Sequence, residues 1–159
     1  KPNAKPIVIK RGEIYFKDVC FSYNVDNNEK PLFDNLTIKI KGSEKVGLVG
    51  FSGSGKSSLV NLLLRNYDIQ SGIILIDNQD IRDVTQESLR QYISIIPQDI
   101  SLFHRSIFDN ILYGNVHASH QEVYSAAKKA NADEFINMLP EGYGTLVGER
   151  GLKLSGGQR

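Results

Sequence analysis

A chain of 159 residues, 40% of them hydrophobic, has the length of one domain and enough apolar side chains for a core. Its 19 Lys and Arg against 18 Asp and Glu leave a formal net charge of +1, so no global field draws it to nucleic acid or an anionic membrane, and phosphate recognition must be local. No run reaches the roughly 18 apolar residues that span a bilayer, the start lacks a signal-peptide pattern, and the single Cys20 has no disulfide or metal-ligand companion, which together read as a soluble, intracellular segment with a reduced thiol.

Residues 1–11, with Pro2, Pro6 and several charges, read as an extended linker from an upstream element, and residues 12–159 as the domain proper. The β-prone Ile14, Tyr15, Phe16, Val19, Phe21 and Tyr23 predict a strand whose alternation changes phase near Asp18, where a bulge is expected. After a polar turn over 24–30, Leu36, Ile38 and Ile40 alternate with Thr37, Lys39 and Lys41 as a half-buried strand. Gly42-Ser43 then turns the chain into Lys45-Val46-Gly47-Leu48-Val49, expected to be a strand buried on both faces.

The next stretch is the most specific. Gly50-Phe51-Ser52-Gly53-Ser54-Gly55-Lys56-Ser57-Ser58 fits the phosphate-binding loop pattern G-x-x-x-x-G-K-[ST] without mismatch, and Leu59, Leu62 and Leu63 follow at helical spacing. Glycines let inward-pointing N–H groups form an anion nest, and the helix behind it adds the positive end of its dipole. Lys56 is placed to reach the β- and γ-phosphates, the Ser57 hydroxyl to ligate Mg²⁺ between them, and Ser58 is a weaker candidate. An ordinary Gly/Ser turn has no need of Lys-Ser at that offset.

Ile73-Ile74-Leu75-Ile76-Asp77 has the form of a buried strand ending in an acid. Asp77 has two readings, a second Mg²⁺-positioning acid or a turn acid, with Asn78-Gln79-Asp80 as the expected hairpin turn. Thr85 caps a short helix to Tyr92, and Ile93-Ser94-Ile95-Ile96 is a predicted strand stopped by Pro97. Helices are predicted over Ser106–Leu112, from the capping box Ser119-x-x-Glu122 with Val123, Ala126, Ala127 and Ala130 as its apolar face, and over Asp133–Leu139 with Met138 filling core space. His104, His117 and His120 lack metal-ligand spacing and read as solvated surface.

The chain closes on Leu154-Ser155-Gly156-Gly157-Gln158-Arg159, alone only a glycine-rich turn before a helix. Paired with a full phosphate loop, it resembles the nucleotide-binding domain of ATP-binding cassette (ABC) transporters, and the resemblance covers nearly the whole chain. Phe21-Ser22-Tyr23 is similar to the loop whose tyrosine stacks on adenine, and Gln98 to the glutamine between core and helical subdomains. Gln98 to Phe103, Ser106 to Ile111, and Gly148-Glu149-Arg150-Gly151 are similar to the exporter versions of those regions.

The resemblance implies an α/β phosphate-loop NTPase fold with a RecA-like core, an antiparallel β-subdomain and an α-helical subdomain from about Ile100 to Lys153. It implies ATP and Mg²⁺, bound by Tyr23, Gly50, Ser52, Gly53, Ser54, Gly55, Lys56, Ser57 and Ser58, with Ser57 and Gln98 as metal ligands and Lys56, Gln98 and Ser155 acting in hydrolysis. Ser155, Gly156, Gly157 and Gln158 would face ATP on a partner's phosphate loop. The implied partners are a second nucleotide-binding domain, arranged head to tail, and the transmembrane domain of the same exporter, at the cytoplasmic face of a cell membrane. Nucleic-acid binding and membrane insertion by this segment itself are not implied.

Family members continue past the signature into an apolar strand ending in Asp (the Walker B strand), a catalytic Glu, a D-loop and a switch His, and none of these lies after Arg159. The sequence therefore reads as truncated there, an ATPase in the intact protein but by itself a binder of nucleotide without hydrolysis. Two other readings are a non-hydrolytic ATP-binding or dimerisation module, and a soluble cassette ATPase of translation or DNA repair. Against the latter, repair relatives insert long coiled coils between the two motifs, and translation relatives lack the loop seen at Gly148 to Gly151.

Overall fold

The computed structural model describes residues 4–24, 30–97, 101–148 and 154–158. They fall into two compact units, Lys1–Ile95 and Ile96–Arg159.

The first unit is built on strand β1 (Ile14–Phe21), which the β-branched and aromatic run anticipates. It pairs antiparallel with β2 (Phe33–Ile40) on one side and β3 (Ser71–Ile76) on the other, and β4 (Gln79–Asp80) extends the sheet to the order β2-β1-β3-β4. Phe16 lies opposite both Ile38 and Ile74, so three apolar side chains line up across the strands. The expected bulge is present: register shifts on both edges of β1 flank Asp18, whose φ is 49°. Gly72, at φ 85°, packs against it so closely that a Cβ there would overlap the Asp18 carbonyl. Helix α1 (Lys56–Leu63) and helix α2 (Gln86–Gln91), capped by Thr85 as expected, contribute Leu59, Leu62 and Leu89 to a core with Phe16, Val19 and Ile74. Each such side chain, fully buried, contributes roughly 1.5–3 kcal/mol.

Four expectations in this unit need correction. The β3–β4 turn is Asp77–Asn78, at φ 46° and 63°, and Gln79 and Asp80 instead pair with Ile76 and Leu75. A two-residue hairpin loop with both residues left-handed matches strand twist, and Asp and Asn tolerate that conformation. Residues 45–49 form no strand, with Val46 48%, Leu48 44% and Val49 95% exposed. Nor do residues 93–96, with Ile95 49% and Ile96 86% exposed. A short apolar run becomes a strand only when a neighbour takes its N–H and C=O groups, and the described strands pair with one another instead.

Residues 4–11, read as a linker, pack as part of this unit. Ile7 is buried in the core, Lys5 bridges to Val84, and the Gln79 side-chain amide accepts from the Val8 N–H and donates to its carbonyl at 3.0 and 2.7 Å.

In the second unit, β5 (Arg105–Ser106) pairs with β6 (Leu146–Val147) beside α3 (Ile107–Leu112), α4 (His120–Lys129) and α5 (Asp133–Asn137). Ser106 caps α3, and Ser119 with Glu122 forms the reciprocal capping box that the sequence spells. Ile107, Ala127, Ile136, Val147 and Leu154 make the core. Met138 does not fill it; at the end of α5 it is 74% exposed, because Ile136 takes the inward position. Nearby, the Tyr143 hydroxyl donates to Asp133 Oδ1 at 2.6 Å, and burial, then this carboxylate, pushes the phenol up to about 12.

Candidate phosphate-binding site

Gly50–Ser58 closes into a loop over the N-terminus of α1. The Ser54 N–H donates to the Phe51 carbonyl at 3.2 Å, making a tight turn inside it. Two glycines take left-handed backbone, Gly53 at φ 79° and Gly55 at φ 93°. A side chain at Gly55 would also meet the Phe33 ring at 2.8 Å, and one at Gly50 would meet Ser54 Oγ at 2.6 Å. A Cβ at Gly50 would therefore crowd the loop itself, and one at Gly55 would lift it off β2.

The Lys56 ammonium folds back into this loop, donating to the carbonyls of Gly50 at 2.7 Å and Phe51 at 2.8 Å, with Ser54 Oγ at 3.5 Å. A cation held over the loop by carbonyls can turn to an anion entering the same space without crossing the molecule. The helix start favours such an anion. Gly55 is the N-cap of α1 and supplies no side-chain acceptor, and the first turn carries no acid, whereas α2, α3 and α4 are capped by Thr85, Ser106 and Ser119. The orphan N–H groups of α1 are thus left for a ligand. Ser52, Ser54 and Ser57 are exposed on the loop, while Gly55 and Ser58 are buried beneath it.

Tyr23 joins the loop through Ser58, the two hydroxyl oxygens lying 2.7 Å apart. Its ring, half exposed, is held edge-on by Phe21 at 4.9 Å and Tyr67 at 5.1 Å. The Gln70 side chain clamps the turn before it, accepting from the Ser22 N–H at 2.8 Å and donating to the Ser22 carbonyl at 3.1 Å. Tyr67, Gln70 and Phe33 escape a sequence reading because nothing in their spacing ties them to the loop; an aromatic just past the end of α1 is the only hint.

Asp77 is not free to position a metal. Its carboxylate accepts N–H groups from Lys10, Arg11, Gly12 and Glu13 at 2.6–3.0 Å, the task of a turn acid. Among the described residues no cluster of His, Cys, Asp or Glu could hold a metal ion, and the Ser57 hydroxyl is exposed on the loop.

In the second unit, Ser155 and Gln158 cap each other: the Ser155 N–H donates to Gln158 Oε1 at 3.0 Å and the Gln158 N–H to Ser155 Oγ at 3.3 Å. The motif thus adopts a tight turn, closed also by the Gln158 N–H donating to the Ser155 carbonyl at 3.1 Å. Gly156 and Gly157 face open space, and Leu154 anchors the turn in the core. Gln98 and residues 149–151 lie outside the described residues, as does Arg159.

Residues 33–159 match the sequence profile of the family described as ABC transporter. The chain belongs to the ABC transporter family. It is 51% identical to an "Uncharacterized ABC transporter ATP-binding protein" of Haemophilus influenzae, the alignment covering 100% of this chain and 26% of that protein. With the mitochondrial iron-sulfur clusters transporter atm1 of Aspergillus fumigatus the identity is 49%, over 100% of this chain and 22% of the relative. Among solved structures it resembles a bacterial Atm1-family ABC exporter with ATP bound, with a TM-score of 0.87 and 47% identity over 99% of this chain and 27% of that one. This ABC chain therefore has the phosphate-loop ATPase domain fold of the family, and it spans about a quarter of the length of these relatives.

Proposed function

We propose that this chain is the ATP-binding part of an ABC exporter, taking MgATP on Gly50–Ser58 and, in the full-length protein, coupling ATP hydrolysis to export. The observation that carries the reading is the uncapped start of α1 under a loop whose Lys56 ammonium already lies among its carbonyls. The likeness to an exporter with ATP bound supports the nucleotide, and the likeness to membrane transporters supports a transmembrane domain as partner. No helix among the described residues is long and apolar enough to cross a membrane, so attachment at the cytoplasmic face would come through that partner.

Each residue has a physical task in this reading. The loop N–H groups and Lys56 hold the β- and γ-phosphates, and Lys56 offsets charge that grows on the oxygens as the γ-phosphoryl group transfers. Mg²⁺, when bound with the nucleotide, would supply further charge neutralisation. Ser57 would present a hydroxyl for it, and the Gln98 amide oxygen would serve the metal or the attacking water. Tyr23 stacks on the base, and Ser58 fixes its ring through the shared hydroxyl bond. Gly156 and Gly157 offer N–H groups, and Ser155 its hydroxyl, to the γ-phosphate on the loop of a partner domain, with Gln158 closing the turn that presents them, which makes a head-to-tail dimer the active assembly.

Calorimetric titration with MgATP tests the site. Lys56→Ala removes a charge-assisted contact of roughly 1.5–3 kcal/mol, so affinity is expected to fall about ten- to a hundredfold. Equal affinities for wild type and variant would overturn the assignment.

A further inference from the structure

Away from the phosphate loop, two turns clamp the backbone of residues 10–13. Asp77 Oδ2 accepts the N–H groups of Lys10, Arg11 and Gly12, and Oδ1 that of Glu13. From the other side Gly42 presses so close that a Cβ on it would overlap the Arg11 carbonyl oxygen. The side chains of Lys10 and Arg11 are therefore presented from a fixed backbone, and together with Lys41 they line an open cavity of ≈ 790 Å³.

The acids around this cavity are already engaged. Asp77 is satisfied by four N–H groups, Glu13 lies 3.3 Å from the Lys39 ammonium, and Glu44 Oε2 accepts the Lys41 N–H at 2.8 Å. Lys10, Arg11 and Lys41 are exposed and make no ion pair among the described residues. We propose that this cavity is a second anion site, distinct from the phosphate loop, that binds a phosphate group of more than one charge, either free or as a phospholipid headgroup. Three cations on a backbone ordered in advance suit such a group, because a single carboxylate would leave two of them unmatched and the cost of ordering the site is already met by the fold.

Inorganic pyrophosphate and ¹⁵N-labelled chain provide the test, because amide signals separate the two sites. The Gly42 and Asn78 amides report the cavity, and those of Gly53 and Gly55 report the phosphate loop. Saturable shifts at Gly42 and Asn78 are expected, weakened about tenfold or more by the Lys10→Ala, Arg11→Ala, Lys41→Ala triple variant, with the response at Gly53 and Gly55 unchanged. Should the triple variant fail to fold, Lys41→Gln on its exposed turn carries the same readout with a few-fold loss. Flotation with phosphatidic acid vesicles against neutral phosphatidylcholine vesicles assigns the source. Binding to the acidic vesicles that pyrophosphate displaces identifies a headgroup, and pyrophosphate binding without vesicle binding identifies a soluble ligand. No shift at Gly42 and Asn78 together with no preference for acidic vesicles would overturn the site, as would shifts there that survive both the triple variant and Lys41→Gln.

Discussion

At Asp77, four N–H groups converge on one carboxylate and hold its pKa well below the ordinary aspartate range, the Arg11 N–H contributing most and burial opposing. A depressed folded-state pKa means the unfolded chain takes up the proton first. The stability Asp77 contributes is therefore complete above about pH 4 and is lost as the pH falls through and below that value. Asp77→Asn is expected to lower the melting temperature at pH 7 and to flatten the decline of stability between pH 4 and 2; an unchanged acid limb in thermal melts would contradict the clamp. Tyr23 makes a second residue-scale case. Its hydroxyl bond to the buried Ser58 means that Tyr23→Phe costs about 1 kcal/mol of stability, measurable by urea unfolding. Tyr23→Ala should further weaken ATP about fivefold, roughly 1 kcal/mol of stacking, while inorganic triphosphate binds as before. Loss of both affinities together would make the ring a support of the loop and not a contact to the base.

Elements here are held at their ends. Gly55 ends the loop and starts α1 at φ 93° under the Phe33 ring, so Gly55→Ala meets both a disfavoured backbone region and a clash. The expected loss is about 2 kcal/mol or more of stability, with nucleotide affinity falling in the same variant. The capping box of α4 is a simpler device: the Ser119 side chain accepts the Glu122 N–H, and the Glu122 carboxylate accepts the Ser119 N–H at 2.8 Å. Ser119→Ala is expected to cost about 1 kcal/mol, read as a lower denaturant midpoint with an unchanged slope. Nucleotide affinity should not respond, since the capping box lies in α4 and includes no residue of Gly50–Ser58.

For the whole molecule, the described core of the first unit contains eleven buried side chains, including Phe16 and Phe21, against five in the second. Less buried apolar surface means less to offset chain entropy, so the second unit should open more readily. Amide hydrogen exchange is expected to be slowest in β1 and β3 and faster by at least about tenfold, or 1.4 kcal/mol, in α3 and α4. Equal protection throughout would mean that the two units unfold as one.

Some of this protein is written in adjacent residues, and those parts are legible without coordinates. The phosphate loop, its glycines and Lys56 depend on spacing within nine residues, and the caps at Thr85, Ser106 and Ser119 on spacing within three. The bulge at Asp18 shows as a phase change within one strand. Other parts depend on partners distant in sequence. The runs at 45–49 and 93–96 have strand composition, yet a strand exists only where another offers its hydrogen bonds, and composition does not say which neighbour is there. Asp77 looks like a metal acid until the backbone of residues 10–13 arrives to occupy it. Tyr23 comes to lie beside the loop because it shares a hydroxyl bond with Ser58 and packs on Tyr67, while Gln70 holds the preceding turn. Local geometry was set by the sequence alone, since short-range sterics and hydrogen bonds need no fold; the surroundings of Asp77, Tyr23 and the apolar runs at 45–49 and 93–96 were decided only when folding chose their neighbours.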